Sequence, residues 1–200
     1  MLRLSFISAL ICISGFSLAH EPMRGKIMAT AGPYIYQTQT SESINDASSP
    51  VLGGFALIAN GDVDRNGGVE LGMIYLHKLH FRNSNGNVVS EKIKRMHMTV
   101  GYRHWFNTYF SAALGYYTSY AMGDPHISYN DFPGGNSSYT SAQRTAENGF
   151  DWSLLYEVYR NDKFTIVTDI RYSWAITDRA GEDADVLGIV IGYKTEIKGR

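Results

Sequence analysis

A chain of 200 residues, 44% hydrophobic and 18% charged, has room for one domain and a short appendage. Its 18 basic and 19 acidic residues nearly cancel, which excludes the strongly basic surface that nucleic-acid binding requires. A single cysteine excludes a disulfide framework.

At the N terminus, Arg3 precedes an apolar run from Leu4 to Leu18, and Ser17-Leu18-Ala19 forms a small-x-small cleavage pattern before His20. The pattern predicts a Sec signal peptide over residues 1–19 that is removed, leaving residues 20–200 as the working domain. A membrane anchor is the competing reading, but the run is short for a span of about 20 apolar residues and polar chain follows at once. Cys12 lies inside the signal behind bulky Ile11, which makes it a poor lipoprotein site and leaves the mature chain without cysteine. Removing Arg3 leaves 17 basic against 19 acidic residues, a formal charge of −2. No later stretch is long and apolar enough for a transmembrane helix, so a membrane can be crossed only by strands.

Aromatic residues and glycine are abundant (14 Tyr, 9 Phe, 3 Trp, 20 Gly), and period-two alternation recurs between turn signals. Eight strands are predicted, at about Lys26 to Thr38, Leu52 to Asp62, Val69 to Arg82, Val88 to Arg103, Thr108 to Ala121, Gly149 to Arg160, Lys163 to Thr177 and Ala184 to Lys198. Val63 to Gly68, His104 to Asn107 and Asn161-Asp162 are tight links, whereas Gln39 to Val51 and Met122 to Asn148 are long and rich in Ser, Asn, Asp, Gly and Pro. An up-and-down meander puts all the tight links at one end and the long ones at the other, the asymmetry of an outer-membrane barrel with short periplasmic turns and longer outer loops.

In the fourth strand Met96, Met98, Val100 and Tyr102 alternate with Arg95, His97, Thr99, Gly101 and Arg103. In the fifth, Phe110, Ala112, Leu114, Tyr116 and Tyr120 alternate with small or hydroxylated residues, and in the seventh Ile166, Ile170, Tyr172 and Trp174 alternate with Thr165, Asp169, Arg171 and Ser173. The sixth and eighth strands share the pattern, whereas Ile27 to Tyr36 in the first does not resolve into clean faces. Alternation alone does not say which face looks outward, because a soluble lipocalin-like barrel wraps its apolar face around a ligand. Three features favour lipid. Tyr102, Phe110, Tyr120, Phe150, Phe164, Trp174 and Tyr193 stand near strand ends, as an interfacial girdle does. The polar face mixes bulky charge with Gly, Ala and Ser, which suits a narrow interior. No helical segment is available to close a lipocalin cup.

These features resemble the small eight-stranded outer-membrane proteins typified by the transmembrane domain of OmpA and by OmpX, over the whole mature chain. The resemblance rests on strand number, loop asymmetry, the girdle and Gly-aromatic pairs at Gly101-Tyr102, Gly115-Tyr116 and Gly192-Tyr193. It implies an all-β, eight-stranded antiparallel up-and-down transmembrane barrel in the outer membrane of a Gram-negative bacterium, inserted by the barrel-assembly machinery and favoured as a monomer. One departure is the C terminus: such proteins usually end in an aromatic residue, and this chain ends Lys198-Gly199-Arg200. The assembly signal is then either displaced inward, to Gly188 through Tyr193, or atypical.

An eight-stranded interior is just wide enough for side chains to fill, which disfavours an open pore. The predicted inner face carries Glu70, Arg95, His97, Arg103, Asp151, Glu157, Asp169, Arg171, Lys194 and Glu196, with Lys78. Charges of both signs at that density must pair, giving a salt-bridged plug. A basic cluster of Lys78, His80, Arg82, Lys92 and Lys94, with Arg95 beside it, is expected at the outer ends of the third and fourth strands, where lipopolysaccharide phosphates and other outer-membrane lipids are the candidate partners. Asp62-x-Asp64-x-Asn66-Gly67 imitates the start of a calcium loop, but Met73 replaces the closing acid, so a polar turn is expected and no metal or other cofactor. His126, Asp124, Ser128 and Asp131 share the longest outer connector without the spacing of a nucleophile and base, so a lipid A-modifying enzyme is the alternative and a non-enzymatic barrel acting through its outer loops the expectation.

Overall fold

In the computed structural model the described residues are 25–40, 49–84, 87–131, 146–177 and 184–197. The predicted signal peptide, parts of both long connectors and Lys198 to Arg200 lie outside them. Among the described residues nine strands form: β1 (Ile27–Thr40), β2 (Val51–Asp62), β3 (Gly67–Ser84), β4 (Asn87–Trp105), β5 (Phe110–Ala121), β6 (His126–Asn130), β7 (Glu147–Arg160), β8 (Thr165–Ala175) and β9 (Ala184–Glu196). Every pairing is antiparallel, and the ladder β3–β2–β1–β9–β8–β7–β5–β4 returns from β4 to β3. The result is a closed barrel of eight strands, with β6 paired to β4 outside the ring. Closure leaves the ring without an edge, which a sheet in lipid requires because nothing there satisfies a free N–H or C=O.

The three tight links share one device. The Oδ1 of Asp64 accepts the Asn66 N–H at 2.7 Å, that of Asn107 accepts the N–H groups of Tyr109 and Phe110 at 2.8 Å, and that of Asn161 accepts those of Lys163 and Phe164 at 2.9 Å. Each side chain holds its turn locally, the reason Asx residues dominate such positions.

Side chains alternate as the pattern predicts, and the structure decides the direction. Charged and small residues point inward, while Leu71, Met98, Val100, Leu114, Trp152, Leu154, Ile170, Ile189 and Ile191 are exposed on the outer wall. This arrangement is the reverse of a lipocalin, which keeps its polar face in water. Six of the ring strands are 11 to 14 residues long, enough for a tilted span, but β3 and β4 reach 18 and 19. Their surplus projects past the loop end of the barrel as a hairpin, and β6 pairs with it from Val89↔Asn130 to Lys92↔His126. β6 prolongs the line of β5 along β4 after a break at Met122 to Pro125, where Gly123 takes φ +100°, a conformation side chains rarely adopt. The sequence alone shows a connector here, because Pro125 and the Asp- and Ser-rich surroundings mask the short alternation of β6.

Candidate functional site

The interior is divided between two walls. On the first, the Glu70 carboxylate of β3 accepts from Arg103 Nε at 2.6 Å and Asn60 Nδ2 at 3.0 Å through Oε2, and from Arg171 Nη2 at 2.6 Å through Oε1. Asp169 Oδ2 stands 2.9 Å from Arg171 Nη2 and 3.4 Å from Arg103 Nη2, tying β8 to β4. Asp151 of β7 accepts from Thr99 at 2.8 Å and Arg171 Nη1 at 3.3 Å, lies 3.4 Å from His97 Nε2, and takes a short bond from Ser173. Arg103 also donates to Ser111 from Nη1 and to Ser153 from Nη2, at 2.9 and 2.6 Å. One cluster thus spans β2, β3, β4, β5, β7 and β8 and is almost wholly shielded from water. Burial of so many charges is tolerated because each faces several partners, and removing one strands the others.

Two smaller groups lie along the barrel axis on either side of the cluster. Toward the tight turns, Lys194 pairs with Glu157 at 2.9 Å and sits 4.4 Å above the Trp105 ring. Toward the long loops, Lys78 meets Glu147 at 2.5 Å, Tyr117 donates to the same carboxylate oxygen at 3.1 Å, and Arg95 donates to Ser119. His97 stacks on Tyr117 with centroids 4.1 Å apart, linking this group to the central one. Glu196 is set apart from all of them: it is 44% exposed at the turn end, 3.7 Å from Lys26. Glu196 still pairs with Met28 of β1, but the ladder from β9 to β8 ends at Lys194, so inward parity no longer means burial there.

The second wall is apolar. Tyr34, Tyr36, Ala56, Ile58, Ile74, Leu76, Val186 and Val190, from β1, β2, β3 and β9, pack together inside the barrel. Beyond Phe55↔Tyr75 the ladder between β2 and β3 stops; there the Tyr36 hydroxyl donates to the His77 carbonyl at 2.7 Å and accepts its N–H at 2.6 Å. A side chain from β1 takes the place of backbone pairing. The unclear faces of the first strand follow from this wall, since both sides of β1 meet apolar surroundings.

The expected basic cluster is redistributed. Lys78 and His80 are buried inside, as is Arg95, so none of the three can meet lipid phosphates from the outer wall. Parity decides this: even positions of β3 and odd positions of β4 point inward. The side chain of Arg82 lies outside the described residues. Lys92 and Lys94 do face outward, and the register places His77 opposite Lys94 and His126 opposite Lys92. The sequence alone does not join His77 and His126 to Lys92 and Lys94, because the first depends on the register of β3 with β4 and the second on the pairing of β6 with β4. Glu147 was also missed; it belongs to β7, where counting back in twos from Asp151 would have found it.

Of the remaining candidates, Asp64 has one oxygen on Asn66 N–H and the other 2.8 Å from the Tyr102 hydroxyl, so the calcium-like turn is occupied by its own bonds. Those bonds hold the exposed Asp64 carboxyl below the ordinary range for aspartate. Among the described residues no group of three His, Cys, Asp or Glu is placed to hold a metal ion. His126, Asp124, Ser128 and Asp131 are all exposed on β6 or beside it, and Asp131 accepts a short bond from the Val88 N–H, a strand-end role.

No protein-family model matches the chain, and no curated protein matches it in sequence. Solved structures do match in shape. The crystal structure of the outer membrane protein OprG from Pseudomonas aeruginosa aligns with a TM-score of 0.58 at 11% identity, covering 92% of this chain and 100% of that one. Ail, the attachment invasion locus protein of Yersinia pestis, solved in complex with the heparin analogue sucrose octasulfate, aligns with a TM-score of 0.51 at 14% identity over 88% of this chain and 100% of that one. At such identities the likeness speaks for the fold, and it agrees with the apolar outer wall and the closed ring. The chain has the fold of the small eight-stranded outer-membrane β-barrel proteins.

Proposed function

We propose that this protein is a non-enzymatic integral component of the Gram-negative outer membrane, exported by the signal peptide over residues 1–19, inserted by the barrel-assembly machinery and held there as a monomer. Its interior acts as a plug, and its working surface is the sheet of β3, β4 and β6 that projects past the ring with the neighbouring outer loops. The observation that carries this reading is the inverted distribution of polarity, with charge paired inside and a continuous apolar wall outside. Such a surface is stable only against lipid, and the paired interior leaves no run of hydrated charge to conduct ions. The naming of Ail as an attachment and invasion protein, and its complex with a polysulfated sugar, support a surface role for the projecting strands.

Fractionation combined with planar-bilayer recording tests the proposal. The folded protein is expected in the outer membrane, migrating differently before and after boiling in SDS and giving no steady single-channel current. Recovery in the soluble fraction, or a persistent open-channel conductance, would overturn it.

A further inference from the structure

The outer wall of β3, β4 and β5 carries two features on the same strands. The first is a groove of about 350 Å³ bounded mainly by Leu71, Met73, Met98, Val100 and Tyr116, with Thr99 and Thr118 as its threonines. The second is a face on which the cations Lys92 and Lys94 stand beside the imidazoles of His77 and His126. Between them runs a cross-strand row, Tyr75–Met96–Tyr120, of the aromatic kind found where hydrocarbon gives way to headgroups. Lys94 is four residues beyond Met98 on β4, a rise of roughly 13 Å along the strand. Lys92 and Lys94 lie beside His77 on this face, and its paired register positions carry no carboxylate among the described residues, the exposed Asp124 standing in the break between Met122 and His126. Crowded like charges of this kind are relieved by an anion. Met73 and Met98 give the groove flexible, polarisable walls suited to an irregular chain.

We infer that this wall is a binding site for one molecule of a phosphorylated, multiply acylated glycolipid of the outer leaflet, with a phosphate held by Lys92, Lys94, His77 and His126 and an acyl chain lying in the groove. Vertical order selects the occupant. The cations lie at the loop end of the barrel and the groove below them, which matches a lipid whose phosphate faces outward, the lipid A part of lipopolysaccharide. The inference rests on the proposed membrane setting and adds to it a particular wall and a particular ligand. Other apolar faces of the ring, such as Ile170, Ile189 and Ile191 on β8 and β9, have no cation above them among the described residues; there Asp185 accepts a short bond from Tyr172. Lipid in general coats those faces, whereas the β3–β5 wall holds one kind.

Native mass spectrometry of the full-length mature protein in detergent, with bisphosphorylated lipid A, its dephosphorylated form and phosphatidylglycerol as probes, tests the site. Wild type is expected to retain one bisphosphorylated lipid A. The Lys92→Gln, Lys94→Gln double variant is expected to bind it about tenfold less tightly, as losing charge-assisted bonds to phosphate implies. Met98→Trp, which fills the groove, is expected to weaken retention, whereas Ile189→Trp on the far wall leaves it unchanged. Equal retention by wild type and the lysine double variant would overturn the inference, as would equal retention of the dephosphorylated lipid or of phosphatidylglycerol. Mobility before and after boiling keeps the two readings apart. A wild-type protein that never shows the folded form counts against the membrane barrel itself, and folded variants that bind unchanged count against the site alone. If Met98→Trp does not fold, the lysine variant decides.

Discussion

The two walls inside the barrel solve the same packing problem with opposite chemistry. Along β4, β5, β7 and β8 space is filled by Arg103, Arg171 and their carboxylates, each holding several neighbours at fixed angles. Along β9, β1 and β2 it is filled by Tyr34, Tyr36, Ile58 and Val190, which need only volume and shape. An ionic wall is therefore specified by partners and an apolar one by fit. The first fails abruptly when a partner is lost, and the second yields in proportion to the space disturbed.

The largest effect should come from breaking the ionic wall at its centre. Glu70→Ala strands Arg103 and Arg171 and is expected to cost about 3–5 kcal/mol in the urea unfolding of the refolded barrel. Adding Arg171→Met to that variant should recover part of the loss, since the uncompensated charge is then removed. A double variant no more stable than the single one would mean that the wall is held by packing rather than by charge.

The matching test on the apolar wall is Gly188→Ala. A Cβ at Gly188 would stand 2.5 Å from Tyr34 Cε2 and 2.6 Å from Tyr36 Cβ, so two stacked rings must shift. The expected cost is about 1–3 kcal/mol, measured in the same unfolding assay. Unchanged stability would show that this wall is looser than its contacts suggest.

The smallest effect should come from moving ionic chemistry into water. Asp64, exposed in the β2–β3 turn, has a lowered pKa from its bonds with the Tyr102 hydroxyl and the Asn66 N–H. A carboxyl depressed in the folded state contributes stability above its unfolded pKa, near 4, and loses it as pH falls through the folded value. The difference in urea midpoint between wild type and Asp64→Asn should therefore be small at pH 7 and shrink toward pH 3. A difference that grows on acidification would contradict the assignment.

Much of the ring was legible because the strand period is short and local. Once the period-two pattern is set, Arg95, His97 and Arg103 must share a face, and Asp169 and Arg171 must share another. The Asx turns were equally visible, since Asp64, Asn107 and Asn161 act within three residues of themselves. The wall of β1 was not legible, because a strand that meets apolar surroundings on both sides shows no alternation. Lys78 and His80 share the outer ends of β3 and β4 with Lys92 and Lys94, and parity within each strand puts the two pairs on opposite faces.

By itself the sequence determined that the chain forms about eight antiparallel strands, most of them with one apolar and one polar face, because side-chain alternation and turn chemistry are properties of neighbouring residues. Only the tertiary structure decided which face looks outward, which charges meet inside, and that His77 and His126 join Lys92 and Lys94 on one outer wall. Those facts depend on ring closure and strand register, which relate residues as far apart as Glu70 and Arg171, and no local pattern encodes them.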